Sequence, residues 1–210
     1  MLKGIEVLCH SSIKINKEKV IYIDPYKIKD EAKDADLIFI THGHYDHYSE
    51  EDIDKIKKMD TIIVAPKDLL EKLLEYGFEE SCILCVEPDK KYKIDGISFE
   101  TVPAYNINKQ FHLKENKWVG YILELDENRY YIAGDTDVTE YNEKVKCDVV
   151  FVPVGGTYTM NAEEAAYLAN KINPKIAVPI HYGSIIGTKQ DAEKFVNLLN
   201  SNIKGKIFIL

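Results

Sequence analysis

The sequence predicts an α/β fold, two mixed sheets face to face with helices outside them. Three observations lead there. Strand-like and helix-like runs occur in both halves of the chain, and strand-then-helix units recur among hairpins. The 210-residue length suits one compact domain, 1–210, because a single core keeps growing up to roughly 250 residues.

The elements follow in order. "GIEVLCH", "SSIKIN" and "KVIYIDPY" form an opening meander that Asp24-Pro25 stops. "ADLIFI" is a buried strand, and "SEEDIDKIKK" after it reads as a helix, with a Ser49 cap, acidic first turn and late lysines in the order a helix dipole favours. "TIIVAP" and "KDLLEKLLEYG" repeat the strand-then-helix unit, with Gly77 placed to end the helix. "KYKIDGISFETVPAY", "WVGYILELDENRYYIAGD" and "CDVVFVPVGG" supply further strands, the middle one a hairpin turning at "DEN". In "MNAEEAAYLANKINP", Asn161 and Glu164 have capping-box spacing and Pro174 ends the helix. Strand "KIAVPI", helix "TKQDAEKFVNLLN" and strand "GKIFIL" close the chain.

Lys and Arg total 27 against 35 Asp and Glu, a formal charge of -8 with no long basic run, so the field repels a phosphate backbone and nucleic acid is not expected as a partner. The four cysteines include a lone C-x-x-C, Cys82 and Cys85, with no matching second pair. They are expected to be buried reduced thiols in a cytoplasmic chain. The start has no signal-peptide pattern, and no apolar run approaches the ~18 residues of a membrane span. Nothing in the sequence speaks to oligomeric state.

Half of the six histidines fall within "THGHYDHYS". Folding does not ask for this, since adjacent imidazoles repel one another when protonated; a bound cation removes the objection. In an extended stretch His42 and His44 share a face and can point at one ion. Asp46 and His47 are re-aimed as the chain turns into the Ser49 helix, and ligands on both sides of one loop suit two cations ~3.5–4 Å apart. Imidazole and carboxylate favour zinc, with manganese or iron as alternatives. Asp135, after the Gly134 turn, is either a bridge between two ions or an ordinary turn former. His181, at the end of an apolar strand, is either a ligand or a hydrogen-bonded structural residue.

At these residues the sequence resembles the metallo-β-lactamase-fold hydrolases. "THGHYDH" matches their T-H-x-H-x-D-H signature, and "GDT" and "PIHYG" follow in the family's order along nearly the whole chain. "CHSSIKI", "IYIDPY", "WVGYILEL" and "PVGGTYTMNAEEA" narrow the likeness to the branch of the L-ascorbate-6-phosphate lactonases and the N-acyl phosphatidylethanolamine phospholipase D enzymes. The resemblance implies a four-layer αββα sandwich, with His42 and His44 on one metal, Asp46, His47 and His181 on a second, and Asp135 bridging. It also implies a third histidine on the first metal, but "VPAYN" has Asn106 there, and a neutral amide oxygen is a poorer zinc ligand than imidazole. His112 is the substitute ligand, a pocket residue or a surface histidine.

His10, before two serines, is a turn residue or an active-site group that orients substrate. Tyr105, Trp118 and Tyr158 are pocket or core aromatics. The expected activity is hydrolysis of a small ester, lactone or phosphodiester by a metal-bound hydroxide, with Asp46, Asp135 and His10 as catalytic groups. The rival expectations are a non-catalytic metal-binding or sensing domain, supported only by Asn106, and a nuclease, which needs a basic track this chain lacks.

Overall fold

The computed structural model describes residues 1–208. They form two compact units, Leu2–Val86 and a second from Glu87 onward that takes in Met1.

The first unit is a six-stranded sheet whose strands lie in chain order: β1 (Ile5–Cys9), β2 (Ser12–Asn16), β3 (Val20–Ile23), β4 (Ala35–Phe39), β5 (Lys57–Pro66) and β6 (Ile83–Val86). The meander β1 to β3 is antiparallel, and β3 to β6 run parallel. In β4 the run Leu37, Ile38 and Phe39 is buried throughout, as a parallel strand covered on both faces requires. Helices α1 (Glu50–Ile56) and α2 (Leu70–Tyr76) join Ile53, Ile56 and Leu73 to Tyr22, Ile38 and Ile63 of the sheet in one apolar cluster. Each such side chain contributes about 1.5–3 kcal/mol by leaving water.

Two details depart from expectation. Lys57 and Lys58, read as the end of α1, open β5 instead: Lys57 is extended and pairs with Ala35, and Lys58 N–H donates to Thr61 Oγ1. Strand β6 carried no expectation, because its residues are mostly half-buried at a sheet edge and show no alternation.

The second unit is a seven-stranded sheet of β7 (Lys91–Ile94), β8 (Ile97–Pro103), β9 (Val119–Leu125), β10 (Asn128–Ile132), β11 (Val149–Pro153), β12 (Ile176–Ile180) and β13 (Lys204–Gly205), again in chain order. Strands β7 to β10 are antiparallel, and β10 to β13 parallel. The β9–β10 hairpin turns at Asp126 and Glu127, with φ of 49° and 59°, the twist a two-residue hairpin needs. Helices α3 (Ala162–Ile172) and α4 (Lys189–Asn197) bury Leu168, Ala169, Ala192 and Phe195 in a cluster with Val150, Val152 and Ala177. The Asn161–Glu164 capping box is formed, with both bonds at 2.9 Å. The expected strand "GKIFIL" is reduced to Lys204–Gly205, although Lys206 N–H still donates to Ala177 O at 2.9 Å; Ile209 and Leu210 lie outside the described residues.

The fold is therefore the mixed α/β, two-sheet class read from the sequence. All four cysteines are free, as expected, but half-buried rather than fully buried. Burial nevertheless pushes the Cys147 thiol up to about 12.

Strand direction sets where chemistry can sit. Two antiparallel steps give β1 the direction of β3, and β4 is parallel to β3, so the chain leaves these three strands at one edge of the first sheet. By the same argument β8, β10, β11 and β12 all end at one edge of the second. Every candidate site residue follows one of these strand ends. In open α/β sheets that is where ligands bind.

Candidate metal centre

In the first unit hydrogen bonds assign the tautomers of two buried histidines, His42 and His47. Asp24, directly after β3, is almost fully buried and accepts from Thr41 N–H at 2.8 Å and Thr41 Oγ1 at 2.7 Å. Its Oδ2 lies 2.7 Å from His47 Nδ1. Burial pushes this carboxyl above the ordinary carboxylate range, against the pull of His47 and the Thr41 bonds. Because Thr41 gives its hydroxyl proton to Asp24, it accepts from His42 Nδ1 at 3.0 Å. Both His42 and His47 thus carry the proton on Nδ1 and keep the Nε2 lone pair, the arrangement that orients a metal-binding imidazole.

His42 Nε2 lies 3.1 Å from His44 Nδ1, so the two rings converge as the spacing predicted. The N–H groups of His47 and Tyr48 both return to His44 O, at 3.0 and 2.8 Å, a tight turn that re-aims Asp46 and His47 before the Ser49 cap. Asp46 Oδ2 is 3.5 Å from His47 Nε2 and 3.3 Å from His10 Nε2. His10 occupies the β1–β2 turn at φ 55° and is fully buried; its ring meets Tyr26 edge-on with centroids 6.3 Å apart. It is a turn residue and also a neighbour of the candidate ligands.

The second unit brings together Asp135, His181 and His112. Ala133 N–H bonds Phe151 O past the end of β10, then Gly134 at φ 67° turns the chain and sets Asp135 at the edge. A single oxygen, Asp135 Oδ2, lies 3.1 Å from His181 Nε2 and 3.2 Å from His112 Nε2. His181, directly after β12, adopts φ 58°. Gly155, past β11, must be glycine: a Cβ there would stand 2.7 Å from His181 O and 3.2 Å from His181 Nδ1.

His112 is 3% exposed, which removes the surface reading. The Asn106 amide nitrogen is engaged within the chain. Nδ2 donates to Tyr158 O at 2.6 Å and Phe111 O at 3.0 Å and lies 3.2 Å from His112 Nδ1, while the buried Oδ1 has no hydrogen-bond partner among the described residues. Trp118 packs edge-on against His112 with ring centroids 5.5 Å apart, Tyr158 supplies its carbonyl to Asn106, and Tyr105 is buried.

The donor set fits transition-metal ions. Imidazoles and carboxylates in both units, all buried but the half-buried His44, each offer a ligand atom: His10, His42, His44, Asp46 and His47 in the first and His112, Asp135 and His181 in the second. The orphaned Asn106 oxygen is a further buried acceptor suited to an ion or its water. Asp24 and Thr41 were missed as functional residues. Asp24 read only as a strand stop, and its partners lie 17 and 23 positions away.

Comparison with known proteins agrees. The profile of the Beta-lactamase superfamily domain matches residues 4–181. A UPF0173 metal-dependent hydrolase of Thermococcus onnurineus is 31% identical, over 98% of this chain and 95% of its own. The crystal structure of a candidate metal-dependent hydrolase from Parabacteroides distasonis superposes with TM-score 0.81 at 30% identity, over 97% of this chain and 91% of that one. CmlA, a diiron β-hydroxylase from Streptomyces venezuelae, shares the fold alone: TM-score 0.76 at 14% identity, over 98% of this chain and 52% of its own.

These relatives define the class, a metal-dependent hydrolase of the metallo-β-lactamase fold. The chain belongs to the UPF0173 metal-dependent hydrolase family of the beta-lactamase superfamily.

Proposed function

We propose that the chain hydrolyses a small ester, lactone or phosphodiester with two divalent ions, zinc before manganese or iron. In the first unit His42, His44, Asp46 and His47 would serve as ligands, and in the second Asp135, His181 and His112 would. Bound there, the ions would supply a water acidic enough to ionise near neutral pH and would polarise the scissile group. The observation that carries this reading is the tautomer control in the first unit: Asp24 and Thr41 hold the protons of His47 and His42 on Nδ1 and leave each Nε2 as a donor atom.

The chain's own groups do the rest. His10 Nε2, 3.3 Å from Asp46 Oδ2, orients that carboxylate, and Asp46 or Asp135 takes the proton of the attacking water. An open groove of about 610 Å³ adjoins the ligand loop, where Tyr26, Tyr45 and Tyr48 stand among charged groups such as Lys27, Glu51 and Lys72. The narrower likeness to the lactonase and phospholipase D branch directs the choice of substrates to phosphate esters and lactones. The charge of -8 argues against nucleic acid, and four free thiols fit the cytoplasm. Among the described residues no helix is long and apolar enough to cross a membrane.

Elemental analysis and a substrate panel test the proposal. Metal-replete protein should hold one to two ions per chain, and His42→Ala with His44→Ala should lose at least one. Hydrolysis of at least one phosphodiester, lactone or ester should stop on chelation and fall strongly in Asp135→Ala. Turnover that survives complete metal removal would sink the reading.

A further inference from the structure

The loop that carries His112 is tied down at both ends and in its middle. Asn106 N–H donates to His112 O at 2.8 Å, and Asn106 Nδ2 donates to Phe111 O at 3.0 Å and Tyr158 O at 2.6 Å. Asp137, two residues past Asp135, braces the middle: one oxygen accepts from Ile107 N–H at 2.8 Å and the other bonds Lys109 Nζ. The same ammonium donates to Thr159 O at 2.8 Å. Asp137 is itself anchored, its N–H on Tyr105 O at 3.0 Å and its carbonyl taking Asn142 Nδ2 at 2.8 Å.

These bonds add to the packing of the His112 ring on Trp118 and of Phe111 edge-on to Tyr158, which alone leaves much of the loop in solvent. Ile107 and Phe111 are about half exposed, and Asn108 and His112 both sit at positive φ, so the backbone that presents the buried imidazole is neither covered nor relaxed.

We propose that Asp137 is a positioning residue for metal binding. Through Ile107 and Lys109 it braces the loop that Asn106 closes, and the braced loop delivers His112 to Asp135 in place of the family's histidine at position 106. The proposal rests on His112 being a ligand, as assigned above.

A double-mutant cycle separates the two claims. Zinc affinity is measured by chelator competition, and the visible spectrum of the cobalt(II)-substituted protein reports coordination, for wild type, His112→Ala, Asp137→Ala and the double variant. His112→Ala should weaken one ion ~10–100-fold, the range seen when ligand support is lost. Asp137→Ala should weaken the same ion ~10-fold and alter the cobalt bands, yet change nothing further in the His112→Ala background, because it acts through His112. Asp137→Asn, which keeps an acceptor for Ile107 N–H, should fall in between and serves where the alanine variant does not fold. If His112→Ala leaves affinity unchanged, the ligand assignment fails. If His112→Ala has its effect and Asp137→Ala has none, or weakens zinc equally in both backgrounds, the positioning role is overturned.

Discussion

His10, Asp24, His112 and His181 all hold positive φ, at 55°, 47°, 59° and 58°. Left-handed backbone costs a residue with a Cβ on the order of 1 kcal/mol, and histidine and aspartate are among the types that tolerate it. For His10, Asp24 and His181 the turn swings a side chain off the line of the preceding strand, and for His112 it does so within a loop, so a little stability is given up for aim. Tyr131 shows the opposite balance. Its ring is fully buried in the second unit's core, burial raises its phenol strongly, and its hydroxyl has no hydrogen-bond partner among the described residues. Tyr131→Phe should therefore leave stability unchanged or raise it by about 1 kcal/mol, read from the urea midpoint; a loss of 2 kcal/mol or more would reveal a partner for that hydroxyl. The residue scale also divides what the sequence discloses. His42, His44, Asp46 and His47 were legible as candidates because they come from a single short loop. Asp24 was not, and Asn106 was read only as a poor ligand in a histidine's place, since a carboxylate fixing a distant tautomer and an amide closing a loop leave no local pattern.

Helix α1 has only seven residues, too few to persist on its own. It stays because Ile53 and Ile56 are buried and because Asp52 ties it to the chain after β3. That carboxylate accepts from Lys27 N–H and Ile28 N–H, both at 2.8 Å, and from Ser49 Oγ at 2.7 Å and Lys55 Nζ at 3.0 Å. Burial alone would raise the Asp52 carboxyl, but these donors outweigh it and hold it below its ordinary 3.8. A lowered folded-state pKa means the stabilisation is complete above 3.8 and is lost as pH falls through the folded value. Asp52→Asn should cost about 1.5–3 kcal/mol at pH 7, and the gap to wild type should close as pH falls below 3.8, both measured by denaturant titration. A gap that persists at acid pH would assign the loss to packing. Elements were legible where they carry their own punctuation, as with Ser49, Gly77 and the Asn161–Glu164 box. They were lost at sheet edges, where β6 has partial burial and no alternation and β13 has two residues.

For the whole molecule, candidate ligands drawn from distant parts of the sequence predict that metal binding and folding are linked. Free zinc at 100 times its dissociation constant should add about 2.7 kcal/mol, which for a chain of this size raises Tm by roughly 5–10 °C and is reversed by a chelator. A Tm indifferent to both would mean the folded state does not bind zinc. The α/β class was legible from the succession of runs, but strand order was not, because parallel neighbours such as β11 and β12 are joined through a helix and their pairing leaves no adjacent signal. The common direction of β1, β3 and β4, and of β8, β10, β11 and β12, gives the protein a division of labour. Side chains within the strands govern how long the scaffold survives, and the few residues beyond their ends govern what it can do. A laboratory lineage could replace the segment from Asn106 to His112, or the one after β12, and acquire a different chemistry while its sheets go on folding unchanged.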